Sequence, residues 1–183
     1  DGAFVIAVAH NVGAIVFSMR LAEHFRCLVV GKRSKRPESD ALMLRFFDHL
    51  GVPLALASRH ERVAFTRRLL EAVDEGSAII APLDRIDRRS EGVQARIFGR
   101  EVWFTTWALR IAAKRKLPIV PAWLHIERGE VKVELAEPVR EVEPARALQD
   151  VMQQFEAWIL RDPGSWAFLA DKRWQQVLRA GRS

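Results

Sequence analysis

Hydrophobic and polar positions follow two rhythms along this chain. Ala3 to Ala9 is a short, nearly all-apolar run rich in β-branched side chains, the pattern of a strand buried on both faces. Val12 to Phe25 reads as a helix, and a second apolar run, Leu28 to Val30, ends at Gly31 and the basic stretch Lys32-Arg33-Ser34-Lys35-Arg36-Pro37. From Asp40 to Leu50 the apolar spacing is helical again and stops at Gly51, a residue suited to a helix C-cap. Val52 to Ala57 reads as a strand, Glu61 to Val73 as an amphipathic helix ended by Gly76, and Ser77 to Leu83 as another buried strand. Further on, Val93 to Phe98 and Val102 to Phe104 read as short extended pieces and Trp107 to Lys116 as a helix. Pro118 to Ile126 and Val131 to Glu137 form a strand pair around Arg128-Gly129. Pro144 opens a helix that runs to Leu160, and Asp162-Pro163-Gly164 separates it from an aromatic-rich tail helix.

The β-α-β-α alternation with short connections predicts an α/β domain whose central sheet is mainly parallel or mixed and flanked by helices. Polar groups that carry chemistry are then expected at the carboxyl ends of the strands. A length of 183 residues fits a single domain, 1–183, with enough chain to bury a sizeable core.

Composition narrows the partners. Lys and Arg number 29 against 23 Asp and Glu, a formal net charge of +6 that favours anionic partners such as phospholipid surfaces, phosphorylated cofactors or nucleic acid. No nucleic-acid recognition motif accompanies the charge, so none is expected as a partner. The one cysteine, Cys27, begins an apolar run and reads as a buried strand residue; an internal disulfide is impossible. No uninterrupted apolar stretch approaches the roughly 18–20 residues that span a bilayer. The chain opens on Asp1 only two residues before a strand, and the natural protein is therefore expected to carry a further N-terminal segment.

Two polar residues stand at predicted strand ends. His10 follows the first strand, where an imidazole can meet a substrate and act as general base. Asn11 and Gly13 come next, at a helix start whose backbone amides could help hold an anion. Asp84 follows Pro82-Leu83 at the end of another strand. As a pair they are a candidate site; separately they read as a packed histidine and a turn or cap carboxylate. Arg33 and Arg36 in the basic loop, and Arg85, Arg88 and Arg89 beside Asp84, could bind phosphate by charge-assisted hydrogen bonds or serve as solvated charge. Glu23 and His24 are adjacent on a helix and do not face each other. His49, His60 and His125 lack the spacing of a metal site, and no P-loop, GxGxxG or GxSxG motif occurs.

Several segments in chain order resemble the lipid A late acyltransferase (lauroyl/myristoyl acyltransferase) family of the lysophospholipid acyltransferase superfamily. They are the strand leading to His10, Glu75-Gly76-Ser77 leading to Pro82-Leu83-Asp84, and Phe98-Gly99-Arg100. Ala108 with Ala112-Ala113, Leu117-Pro118-Ile119-Val120-Pro121-Ala122, and the closing Pro163-Gly164-Ser165-Trp166-Ala167-Phe168 with Arg173-Trp174 follow. Each motif is weak alone; the ordered set covers almost the whole chain.

The resemblance implies a lysophospholipid acyltransferase-like fold. It also implies transfer of a fatty acyl group from an acyl thioester, on acyl carrier protein or coenzyme A, to a hydroxyl of a glycolipid or lysolipid, with no bound metal or organic cofactor. His10 would be the base of the family's HxxxxD/E motif, but the position five residues on, where the orienting acid is expected, holds Ile15, and Gly13 stands one place later than the family's glycine. Three arrangements accommodate this: Asp84, at the family's second acidic position, orients His10; the chain is a noncatalytic lipid-binding or partner-binding relative; or a shifted alignment hides another partner. Asn11, Arg33, Arg36 and Arg85 are the expected substrate-binding residues. An anionic membrane surface is the expected partner, met by Trp166 and Arg173-Trp174 unless these pack the tail onto the domain. The expected location is the cytoplasmic face of a bacterial inner membrane, peripherally, or the cytoplasm.

Overall fold

The structure, a computed structural model, describes residues 2–57, 61–87, 92–127, 129–141 and 143–179. The all-apolar runs become strands β1 (Val5–Val8), β2 (Cys27–Lys32), β3 (Leu54–Ala57), β4 (Ala78–Pro82) and β7 (Ile119–Glu127). They pair in parallel in the order β3–β2–β4–β1–β7, and β8 (Glu130–Leu135) closes the sheet antiparallel to β7. A separate hairpin is formed by β5 (Val93–Ile97) and β6 (Arg100–Phe104). The helices are α1 (Ala14–Ala22), α2 (Pro37–His49), α3 (Arg62–Asp74), α4 (Trp107–Arg115), α5 (Pro144–Arg161) and α6 (Lys172–Arg179), with two 3-10 turns between α5 and α6. The chain is thus a single α/β domain with a mixed six-stranded sheet flanked by helices.

Both faces of the sheet are buried, which is why its inner strands carry no polar alternation. Val5, Ala7 and Ala9 of β1 and its extension pack with Trp123 against α4, α5 and the hairpin, while Ile6 and Val8 pack with Leu124 against Phe17 and Leu21 of α1. Phe47 of α2 covers the neighbouring part of the α1 face, alongside Ala22 and Val29. Leu69 and Val73 of α3 cover β2, β3 and β4 from the opposite side.

Beyond shifts of one or two residues elsewhere, three helical segments differ from the sequence reading. Helix α1 is shorter than 12–25 because Asn11 to Gly13 form a braced turn and residues 23–25 close a turn onto Met19 and Leu21. Helix α2 starts at Pro37, three residues early: proline suits the first helical position, and Glu38 and Asp40 favour the positive helix start, before any apolar periodicity begins. The tail is two 3-10 turns followed by α6, rather than one helix. Among the described residues, no helix is long and apolar enough to cross a membrane.

Candidate functional site

Strands β1 and β4 are neighbours at the centre of the sheet, and their register pairs Val8 with Pro82. Each chain runs two residues past that pair, so parallel pairing delivers His10 and Asp84 to the same edge. His10 Nδ1 lies 2.6 Å from Asp84 Oδ1. Asp84 is 0% exposed, whereas the His10 side chain is 35% exposed. A buried carboxylate needs partners on both oxygens. Here Oδ2 accepts the His10 backbone N–H at 2.9 Å and the Trp166 indole Nε1–H at 2.9 Å. Because Asp84 faces only N–H groups, the network assigns the ring proton of His10 to Nδ1. Its Nε2 makes no hydrogen bond among the described residues and keeps a lone pair for a substrate proton.

The segment from Pro163 to Trp174 straps this pair in place. Phe168 stacks on the His10 ring with centroids 4.1 Å apart and planes 20° apart, and the Ala167 N–H donates to the His10 carbonyl at 2.8 Å. Trp174 Nε1–H donates to the Asp84 carbonyl at 3.1 Å, and its ring meets Trp166 edge to face at 4.9 Å. Arg173 forks onto Asp171 through Nε and Nη2 at 2.9 and 2.7 Å, and its guanidinium lies 5.9 Å from the Phe168 centroid. The Arg173 hydrogen bonds hold the Asp171 carboxyl down at about 2, against an opposing push from burial. These contacts correct one expectation: Trp166 and Trp174 are buried core residues that pack the tail onto the domain, not exposed indoles, and Arg173 is paired with Asp171.

Other expected site residues occupy different settings. Asn11 is buried, and its side chain braces the turn, donating from Nδ2 to the Leu124 carbonyl at 3.1 Å and accepting the Gly13 N–H at 2.8 Å. The Val12 N–H donates to the Ser165 carbonyl and the Ala14 N–H to that of Asn11. The amides of Val12, Gly13 and Ala14 are therefore spent inside the protein, and the expected anion cradle at this turn is closed. Arg33 follows β2 at the same sheet edge, two strand spacings or about 10 Å from β1, and pairs with Glu61 at 2.8 Å and Asp40 at 3.7 Å. Arg36 is exposed at the start of α2. Arg85 directly follows Asp84 and is partly buried. Arg88, Arg89 and His60 lie outside the described residues. Ile15 sits half exposed in the first turn of α1, while the His10 Nδ1 position is filled by Asp84.

A second polar cluster escaped the sequence reading. His125 of β7 is buried with Nε2 2.8 Å from Glu134 Oε2 of β8, and Arg161 Nη2 at the end of α5 reaches both, at 2.7 and 2.6 Å. Trp158 Nε1–H donates to Glu134 Oε1 at 2.7 Å. Burial pushes the Glu134 carboxyl up, but hydrogen bonds from Trp158, Arg161 and His125 outweigh it and hold the group at about 2. The β7–β8 hairpin is legible, and its register pairs His125 with Lys132, which puts Glu134 two residues on and on the same sheet face; the arrival of α5 on this hairpin carries no local sequence signal. Among the described residues no three His, Cys, Asp or Glu side chains converge on a metal-sized site. Two open concavities, one lined by Leu44, Pro53 and Arg68 and the other by Arg62, Leu70 and Arg115, include neither His10 nor Asp84. No known family model matches the chain, and no curated protein matches its sequence.

Proposed function

We propose that the protein is an acyltransferase of the lysophospholipid acyltransferase-like kind, moving a fatty acyl group from a thioester of acyl carrier protein or coenzyme A to a hydroxyl of a glycolipid or lysolipid. The observation that carries this reading is the 2.6 Å contact between His10 Nδ1 and the buried Asp84. It supplies the oriented imidazole that general-base chemistry needs although Ile15 occupies the expected acid position. The ordered resemblance along the chain supplies the substrate class.

In the reaction His10 Nε2 takes the proton of the acceptor hydroxyl as that oxygen attacks the thioester carbonyl. The resulting tetrahedral intermediate expels the thiolate, breaking the C–S bond, and Nε2–H returns its proton to the sulfur. Asp84 holds the ring in the Nδ1–H tautomer and stabilises the imidazolium between the two steps. Phosphate on the donor or acceptor is met by Arg36 and Arg85, with Arg33 contributing once its ion pairs to Asp40 and Glu61 yield. The acceptor is presented at the cytoplasmic face of a bacterial inner membrane.

Mass spectrometry of lipid products after incubation with mixed acyl donors and acceptors is the direct test. His10→Ala and Asp84→Asn are each expected to lower kcat/KM by several orders of magnitude, with the double variant little worse than either, because groups acting as one unit are non-additive. Absence of transfer with every donor, alongside retained lipid binding, would replace this reading with that of a noncatalytic lipid-binding relative.

A further inference from the structure

Helices α1 and α2 present apolar side chains that no part of the described chain covers. On α1, Phe17 and Leu21 point into the sheet while Ile15, Val16 and Met19 are exposed, and Val12, in the turn ahead of the helix, is 64% exposed. A helix apolar on nearly every side belongs in an environment that covers it all round. On α2 only Phe47 is buried; Leu42, at 71% exposure, and Met43, Leu44 and Phe46 are open. Phe47 packs with Ala22 of α1, and Val29 meets the core beneath both helices, so α1 and α2 lie side by side on one sheet face. Lys35 and Arg36 stand exposed at the α2 start without an ion pair among the described residues, in contrast to Arg33.

We propose that this face docks on an anionic lipid surface, with Leu42, Phe46 and the outer side of α1 entering the interface and Lys35 and Arg36 meeting lipid phosphates. Apolar side chains combined with neighbouring cations match an interface in which acyl chains lie beneath negative headgroups. A second copy of the chain docked through the same patch would gather two copies of the Lys35, Arg36 and Arg45 cations in one interface, with Glu38 and Asp48 as the exposed acids of α2. Nucleic acid, whose bases stack on aromatic rings, has only Phe46 to meet among the open side chains of the two helices. Val12, exposed in the turn that follows His10, brings this face to the sheet edge that carries the imidazole, where a lipid acceptor would be met. That last step rests on the acyl-transfer reading; the docking itself does not.

The test is sedimentation of the full chain with vesicles of phosphatidylglycerol and phosphatidylcholine, and with vesicles of phosphatidylcholine alone. The parent protein is expected to pellet with the mixed vesicles and to be released by salt. Leu42→Asp with Phe46→Asp is expected to weaken binding by about tenfold or more, and Lys35→Glu with Arg36→Glu to remove the preference for anionic vesicles. Leu160→Asp, at an exposed apolar residue of α5, serves as the control and is expected to bind as the parent does. Should the α2 pair fail to fold, the charge pair tests the same surface. A parent that ignores both vesicle types, α2 and charge variants that bind like the parent, or a dimer dispersed by Leu42→Asp would overturn the proposal. Acyl transfer reports on the chemistry alone: its absence with lipid and water-soluble acceptors alike while docking is intact removes the enzyme reading, and its presence with docking absent removes this one.

Discussion

Three N–H groups converge on Asp84, two of them from His10 itself and the third from Trp166, and a carboxylate with no exposed surface depends on every one. Trp166→Phe keeps an aromatic ring beside Trp174 but removes the indole donor. It is expected to cost about 1–3 kcal/mol in chemical denaturation, the usual penalty for stranding a buried polar partner. It should also lower kcat by about tenfold with little change in KM, because Trp166 acts on substrate only through the carboxylate that orients His10. A purely structural tryptophan would lower stability and leave the kcat of the folded fraction intact. Ile15→Glu separates the two candidate acid positions. With Asp84 already on Nδ1, a carboxylate on the half-exposed start of α1 has no vacancy to fill, and transfer is expected to stay level or fall. A rise in activity would show that the His10 pair is incomplete without an acid at position 15.

At the scale of elements, the turn between β1 and α1 is set by the crowding of β7. A Cβ built on Gly13 would stand 2.4 Å from Leu124 Cδ2, and Leu124 is fully buried between α1 and the sheet, so it has little room to yield. Gly13→Ala is therefore expected to destabilise the fold by about 1–3 kcal/mol through overpacking; an unchanged unfolding midpoint would show that Leu124 can repack. The physical reasons for legibility are visible in such contrasts. Gly51 and Gly76 could be read as helix stops because each closes a local motif: φ is +67° and +79°, and the next residue, Val52 or Ser77, donates back to Phe47 or Ala72. His10 and Asp84 could be read as strand-end groups for the same local reason. Their adjacency could not, since it depends on β4 inserting between β2 and β1, a choice made by packing of the whole sheet. The resemblance marked the segment from Trp166 to Trp174 without its role. Exposed indoles and buried ones have the same spelling in sequence, and only the docking of the strap decides between them.

Across the whole molecule, two acid-sensitive clamps hold the ends of that strap. Glu134 receives Trp158 and Arg161 at the end of α5, just before the strap begins, and Asp171 receives Arg173 where the strap enters α6. Both carboxyls are held at about 2, below ordinary carboxylate values near 4. A carboxyl whose folded pKa is depressed contributes its full stability above the unfolded pKa and loses it as pH falls through the folded one. Stability is therefore expected to decline between about pH 4.5 and pH 2. Surface exposure of Glu134 screens its part, so Asp171 should account for the larger share per clamp. Thermal unfolding followed from about pH 6 downward tests this: the parent melting temperature should fall through the acid window, and Asp171→Asn should begin lower at pH 6 yet fall less steeply. Because Phe168 lies between the clamps and stacks on His10, loosening of the strap in acid should also free the imidazole, read as faster carbethoxylation of His10 in Asp171→Asn than in the parent at a common pH. Equal modification rates combined with an unaltered acid slope would mean that the strap is held by Trp166 and Trp174 alone, and that the charged clamps at its ends carry none of the site's stability.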